Sequence, residues 1–189
     1  MQTTKSVASQ TVHSRFAHPP RNVVALGIQP GMKVADFGSG SGAYVLAIAE
    51  ALYNSGRVYA IDVQRDLLRR TKNECHKRGY KNVDVIWGDL ERIGGSKIAD
   101  GALDMVLISN LLFQVTEKNV VLEEALRILR PKGRLAIIDW SDSFGGTGPI
   151  EQDIVTKETA LALAMKAGLD LAKEFSAGEH HYGLIFRRK

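Results

Sequence analysis

Apolar and polar positions come in blocks along this chain, and the period changes from block to block. Lys33–Phe37 (KVADF), Arg57–Asp62 (RVYAID), Val83–Trp87 (VDVIW), Asp104–Ser109 (DMVLIS) and Arg134–Trp140 are short, mainly apolar runs. Turn residues bound most of them, so they read as strands. Between them the spacing lengthens. Tyr44–Leu52, Arg65–Arg78 and Lys118–Leu129 read as helices, and Gly79 ends the second. The third carries Val121, Leu122, Ala125, Ile128 and Leu129 at helical spacing, with Thr116 as its expected N-cap. Pro131-Lys132-Gly133 turns the chain into the fifth strand. Ahead of the first strand, His18-Pro19-Pro20 is extended and a short helix spans Arg21–Leu26. After the fifth strand, a helix over Lys157–Ala167 precedes two closing strands, Asp170–Phe175 and Tyr182–Arg187.

Strands alternating with helices predict an α/β fold, a doubly wound and mostly parallel sheet with helices on both faces. The last two strands have no helix between them and should close a seven-stranded sheet as a C-terminal antiparallel hairpin. Ligands of such sheets bind outside the carboxyl ends of the strands. Residues 1–16 are expected to be a mobile arm. Residues 17–189 are expected to form one domain, a size that carries its own core.

Composition narrows the class. With 44% hydrophobic and 24% charged residues, the chain is neither disordered, collagen-like nor a disulfide scaffold. No run approaches the ~20 apolar residues of a membrane span. The first residues lack the apolar core of a secretory signal. One cysteine, Cys75, cannot form an internal disulfide, so a cytoplasmic setting is expected. Cys75 lies on the helix after the second strand and reads as a buried structural thiol. The net charge is +4, but Lys5, Arg15, Arg21, Arg187, Arg188 and Lys189 sit at the two ends. Without those six, 19 basic residues face 21 acidic ones. A nucleic-acid partner is therefore weakly supported. The run Arg65, Arg69, Arg70, Lys72, Lys77, Arg78 and Lys81 reads as a solvated face with no interleaved aromatic platform.

The candidate chemistry begins at Asp36-Phe37-Gly38-Ser39-Gly40-Ser41-Gly42-Ala43. Glycines let a ligand approach the backbone, and the following helix aims unsatisfied N–H groups at it. The second strand ends in Asp62, whose carboxylate can accept both hydroxyls of a ribose. Strand, loop, helix, strand and acid in that order imply an adenosine-type cofactor. Gly38-x-Gly40-x-x-Ala43 also satisfies the dinucleotide pattern. Asp36 argues against a dinucleotide, because its carboxylate suits an amino group and would repel a pyrophosphate. Gly42 makes the loop roomier than that pattern needs. The chain also leaves little space for a second mononucleotide half.

In these stretches the chain resembles class I S-adenosylmethionine-dependent methyltransferases. VADFGSGSGAYVLAIAEAL (34–52), VYAIDV (58–63), VIWGDLERI (85–93), DMVLISNLLFQV (104–115) and EEALRILRPKGRLAIIDW (123–140) resemble successive motifs of that family. The resemblance runs from about Pro30 to Arg187. The Asp139-Trp140 ending and the Gly145-Gly146…Gly148-Pro149 loop are most like ubiquinone-biosynthesis-type and other small-acceptor members. It implies S-adenosylmethionine as cofactor. Gly38, Ser39, Gly40 and Gly42 would run beside its methionine part, and Asp36 and the Asn110 carbonyl would hold the ammonium. Asp62 would take the ribose. Val63 and Leu90 would sandwich the adenine, and Asp89 would accept from its amino group. No metal is expected.

The acceptor side is more open. Asn110, Phe113 and Gln114 should face the transferred methyl. Some amino-methylating families carry an Asn/Asp-Pro-Pro-aromatic stretch here, and Asn110-Leu111-Leu112-Phe113 lacks the prolines. Asp139 could orient an acceptor, act as a base, or cap a loop. His18 and His181 are the candidate proton carriers. A small-molecule acceptor is expected. RNA, protein or a lipid head group is the alternative, and a nicotinamide oxidoreductase or non-catalytic nucleotide-binding module is the third reading.

Overall fold

The computed structural model describes residues 17–144, 146 and 148–188. The expected arm, residues 1–16, and Gly145 lie outside them. The elements in chain order are α1 (Pro19–Leu26), β1 (Lys33–Phe37), α2 (Ala43–Ala51), β2 (Arg57–Asp62), α3 (Arg65–Lys77), β3 (Val83–Trp87), β4 (Leu103–Ser109), α4 (Lys118–Ile128), β5 (Leu129–Trp140), α5 (Lys157–Lys166), β6 (Leu169–Gly178) and β7 (His181–Arg188). The seven strands form one sheet in the order β3-β2-β1-β4-β5-β7-β6. The first five are mutually parallel, and β7 runs antiparallel to both its neighbours. Strand order reverses between β1 and β4, so a crevice opens there at the carboxyl ends.

Successive side chains of a strand point to opposite faces, and the buried residues sort accordingly into two cores. Ala35, Phe37, Val106, Ile108, Leu135 and Ile137 face α4 and α5. Val34, Met105, Leu107, Ala136 and Ile138 face α1, α2 and α3, where Cys75 is buried too. The same alternation puts Asp36, Ser109, Trp140 and His181 on the α1–α2 face.

Several boundaries differ from the sequence reading. Helix α1 starts at Pro19, not Arg21, because prolines fit the first helical positions and His18 supplies the cap. Helix α4 is not capped by Thr116. Its N-cap is Glu117, and the Glu91 carboxylate accepts the N–H groups of Thr116 and Glu117 at 2.8 and 2.7 Å. Strand β5 begins at Leu129, which pairs with Leu103. Register then resumes at Arg134 beside Met105, so Pro131-Lys132-Gly133 forms an excursion inside the strand.

No helix bridges β3 and β4. Residues 88–102 are held instead by Glu124 of α4. This fully buried carboxylate accepts the N–H groups of Gly94 (2.7 Å) and Ser96 (3.0 Å) and pairs with Arg127 at 2.7 Å. Among the described residues, no helix is long and apolar enough to cross a membrane.

Candidate functional site

The loop after β1 builds the floor of the crevice. The N–H groups of Gly38 and Ser39 both donate to the Ile61 carbonyl, at 2.9 and 3.0 Å. Asp62 then fixes the loop from the next strand. Its two carboxylate oxygens accept the N–H groups of Gly40 and Gln64, each at 2.8 Å. Gly38 and Gly42 have φ of +69° and +80°, where side chains are strained. A Cβ on Gly38 would come within 2.8 Å of Leu111, and one on Gly42 within 2.6 Å of Thr71. Gly42 thus starts α2 and lets it pack against α3. It is not a lining residue of the cavity, whereas its neighbours Gly40, Ser41 and Ala43 are.

Two lobes flank this loop. One, of about 260 Å³, is lined by Asp36, Gly38–Ser41, Ala43, Tyr44, Ser109, Asn110 and Gln114, with Ala17 and Pro19 at its mouth. The other, of about 230 Å³, is lined by Asp62, Val63, Gly88, Asp89, Leu90, Glu91, Leu111 and Val115. Gly38, Gly40 and Gln114 belong to both, so the lobes share a wall. The shape suits an elongated ligand with a polar end over β1–β4 and a flat end over β2–β3.

The chemistry of each lobe fits S-adenosylmethionine. In the first, Asp36 is 2% exposed. Burial, and then the charge of Asp62, push its carboxyl up to about 8. A cation placed there would restore the ionised form. Asn110 stands at the end of β4 with φ +51°, a conformation Asn tolerates better than most residues. Its backbone N–H donates to the Ile138 carbonyl at 2.9 Å. Its carbonyl, the expected ammonium acceptor, already accepts from Gln114 Nε2 at 2.6 Å. Its buried Oδ1, like the Ser39 hydroxyl, has no protein partner. Unsatisfied buried polar atoms on a cavity wall mark places for ligand groups. In the second lobe, Val63 is 57% exposed while Leu90 is buried. Asp89 Oδ1 accepts the Glu91 N–H at 3.0 Å, and Oδ2 pairs with exposed Arg92.

The other expected site residues fall as follows. Asp139 is 1% exposed and its oxygens accept the N–H groups of Trp140 (2.9 Å) and Leu112 (3.2 Å). It therefore clamps the 110–114 loop to β5. Burial lifts it to about 7, against the pull of those amides. His18 Nδ1 accepts the Arg21 N–H at 3.4 Å, while its neighbours Ala17 and Pro19 line the first lobe. His181 is buried against Trp140, ring centroids 4.2 Å apart, and burial lowers it to about 4. Phe144 stacks on His180, which bonds Asp142 at 2.7 Å.

Three site residues escaped the sequence reading: Tyr44, Ser109 and Asn22 behind them. Ser109 shares the face of Asp36 by strand alternation, which was a usable signal. One cation of the basic run meets an aromatic from another element: Trp87, 49% exposed, has Arg65 over its ring at 4.2 Å, and Lys97, outside the run, at 4.9 Å. The platform comes from β3 and not from the run itself. Among the described residues, no cluster of His, Cys, Asp and Glu is arranged to hold a metal.

Comparison with known proteins identifies the family and the fold. Residues 28–182 match a family described as a methyltransferase domain. A ubiquinone/menaquinone biosynthesis C-methyltransferase of Hydrogenovibrio crunogenus is 33% identical over 61% of this chain and 44% of its own. An arsenite methyltransferase of Aquipseudomonas alcaligenes is 32% identical over 62% of this chain and 35% of its own. The chain thus matches less than half the length of these curated relatives. The crystal structure of an S-adenosylmethionine-dependent methyltransferase from Aquifex aeolicus superposes with a TM-score of 0.84 at 24% identity, each chain covered fully. That likeness establishes the fold.

Proposed function

The chain belongs to the methyltransferase-domain family, and on that premise we propose that it moves a methyl group from S-adenosylmethionine to an oxygen, nitrogen or carbon nucleophile of a small organic molecule. The observation that carries this reading is buried Asp36 facing one lobe while Asp62 faces the other across a shared glycine loop.

When bound, the cofactor would supply an electrophilic methyl on a sulfonium, to be taken up by the nucleophilic atom of the acceptor. The protein's task is mainly alignment, which can lower a barrier by roughly 7–11 kcal/mol. Asp36 holds the ammonium and Asp62 the ribose. Val63 and Leu90 enclose the adenine, and Asp89 accepts from its amino group. Asn110, which lines the first lobe and whose buried Oδ1 has no protein partner, stands nearest the acceptor in this reading. Asp139 acts through the Leu112 amide, keeping the 110–114 loop in place. His18 sets the mouth of the site by capping α1.

An organic acceptor is supported by the side chains the chain offers. A thiophilic acceptor such as arsenite calls for thiolate ligands. This chain's single cysteine is buried on α3, in the core beneath the sheet. An organic acceptor fits better. RNA is the second reading, favoured by exposed Trp87 with Arg65 and Lys97 close to its ring. Two cations of the basic run are already paired, Arg69 with Asp66 and Arg78 with Glu74.

S-adenosylhomocysteine should raise the melting temperature, and NAD should not. Asp62→Ala should weaken S-adenosylhomocysteine binding by about 100-fold in calorimetry, since two hydroxyls lose a charged acceptor. Unchanged affinity would contradict the assignment. RNA affinity that falls steeply with salt would favour the second reading.

A further inference from the structure

Behind the first lobe lies a polar contact that spans most of the chain. Asn22, on α1, is 3% exposed. Its Nδ2 donates to the Tyr44 hydroxyl at 2.8 Å and to the Ala177 carbonyl at 2.9 Å. An amide nitrogen has two hydrogens, so both are committed. The Tyr44 oxygen is therefore an acceptor toward Asn22, and its own proton must point elsewhere. Its other polar neighbours are Ser109 and the Asp36 carboxylate, and Tyr44, Ser109 and Asp36 all line the lobe.

We infer that Asn22 is a positioning residue that orients the Tyr44 hydroxyl, with Ser109 beside it, as a donor for the carboxylate of the cofactor's amino-acid end. The inference rests on the cofactor reading above. An amino acid carries both charges, and this wall offers an acid and a donor side by side. Asp36 suits the ammonium but repels the carboxylate, so a donor must stand near it. Burial pushes the Tyr44 phenol up to about 12, with Asn22 and Ser109 pulling the other way, so the proton stays on at neutral pH. Ala177, at the far edge of the sheet, fixes the Asn22 amide from behind. The orientation therefore depends on α1 being docked.

Two probes separate this role from packing. S-adenosylhomocysteine has the amino-acid end, and 5′-methylthioadenosine lacks it. Tyr44→Phe should weaken S-adenosylhomocysteine about tenfold in calorimetry and change 5′-methylthioadenosine less than about twofold. Asn22→Asp replaces the donor with an acceptor that draws the Tyr44 proton away from the lobe. It should produce the same selective loss while Tyr44 itself is retained. Equal weakening of both ligands would assign Tyr44 to packing and overturn the inference. Unchanged S-adenosylhomocysteine affinity would overturn it too. If neither probe binds the unaltered protein, the cofactor reading fails and this inference falls with it. Should Asn22→Asp not fold, shown by loss of a cooperative thermal transition, Tyr44→Phe decides alone.

Discussion

Asp36 is the residue on which the site turns. It was legible in the sequence because an acid two places before a glycine loop is unusual for a phosphate cradle. Its state was not legible, since that depends on burial and on Asp62 across the loop. A carboxyl held near 8 is mostly protonated at neutral pH. The unfolded chain ionises it near 3.8, so stability is lost as pH rises from about 4 to 8 in the free protein. A bound ammonium reverses this by releasing the proton. S-adenosylhomocysteine affinity should therefore rise by up to about tenfold per pH unit between pH 6 and 8. Calorimetry in buffers of different ionisation enthalpy should show about one proton released, and Asp36→Asn should abolish both effects. Asn22 and Tyr44 were invisible at this scale. Their meaning depends on the Asn22–Ala177 contact, which spans 155 positions and has no local signature.

At the scale of elements, hydrophobic period and turn residues located all seven strands and the helices between them, mostly to within a few residues. What they could not show is how the ends are closed, because side chains from distant elements do it. Arg134 of β5 donates to the Leu26 and Gly27 carbonyls at the end of α1, at 2.8 and 3.1 Å. Arg188 of β7 donates to the Leu126 and Leu129 carbonyls at the end of α4. Glu91 closes the start of α4 where Thr116 was expected. The β3–β4 connection depends likewise on Glu124. Burial alone would raise this carboxyl, but Arg127 and the Ser96 and Gly94 groups win and hold it at about 2. A depressed value means stability present above the ordinary 4.5 and lost as pH falls from there toward 2. Glu124→Gln should cost about 3 kcal/mol in urea denaturation at pH 7, because the charged hydrogen bonds of this fully buried carboxylate to half-buried Arg127 and to the Gly94 and Ser96 amides are weakened or lost. The loss should shrink as the pH falls through that window.

Across the whole molecule, the crevice joins two halves of the sheet. The β1–β2–β3 half supplies Asp36, the glycine loop, Asp62 and Asp89, and the β4 end supplies Ser109, Asn110 and Gln114. Helix α1 leans on both through Asn22 and Arg134. S-adenosylhomocysteine should therefore slow amide hydrogen exchange in all three regions, residues 19–26 included. In Tyr44→Phe the slowing at 19–26 should be reduced while that at 62–64 persists. Strand β7 lies between β5 and β6 although it follows both in the chain. During synthesis, then, β6 leaves the ribosome before the strand it pairs with exists. Until residues 181–188 emerge, the Ala177 carbonyl has no sheet to hold it behind Asn22, so the donor wall takes shape only once β7 has been made.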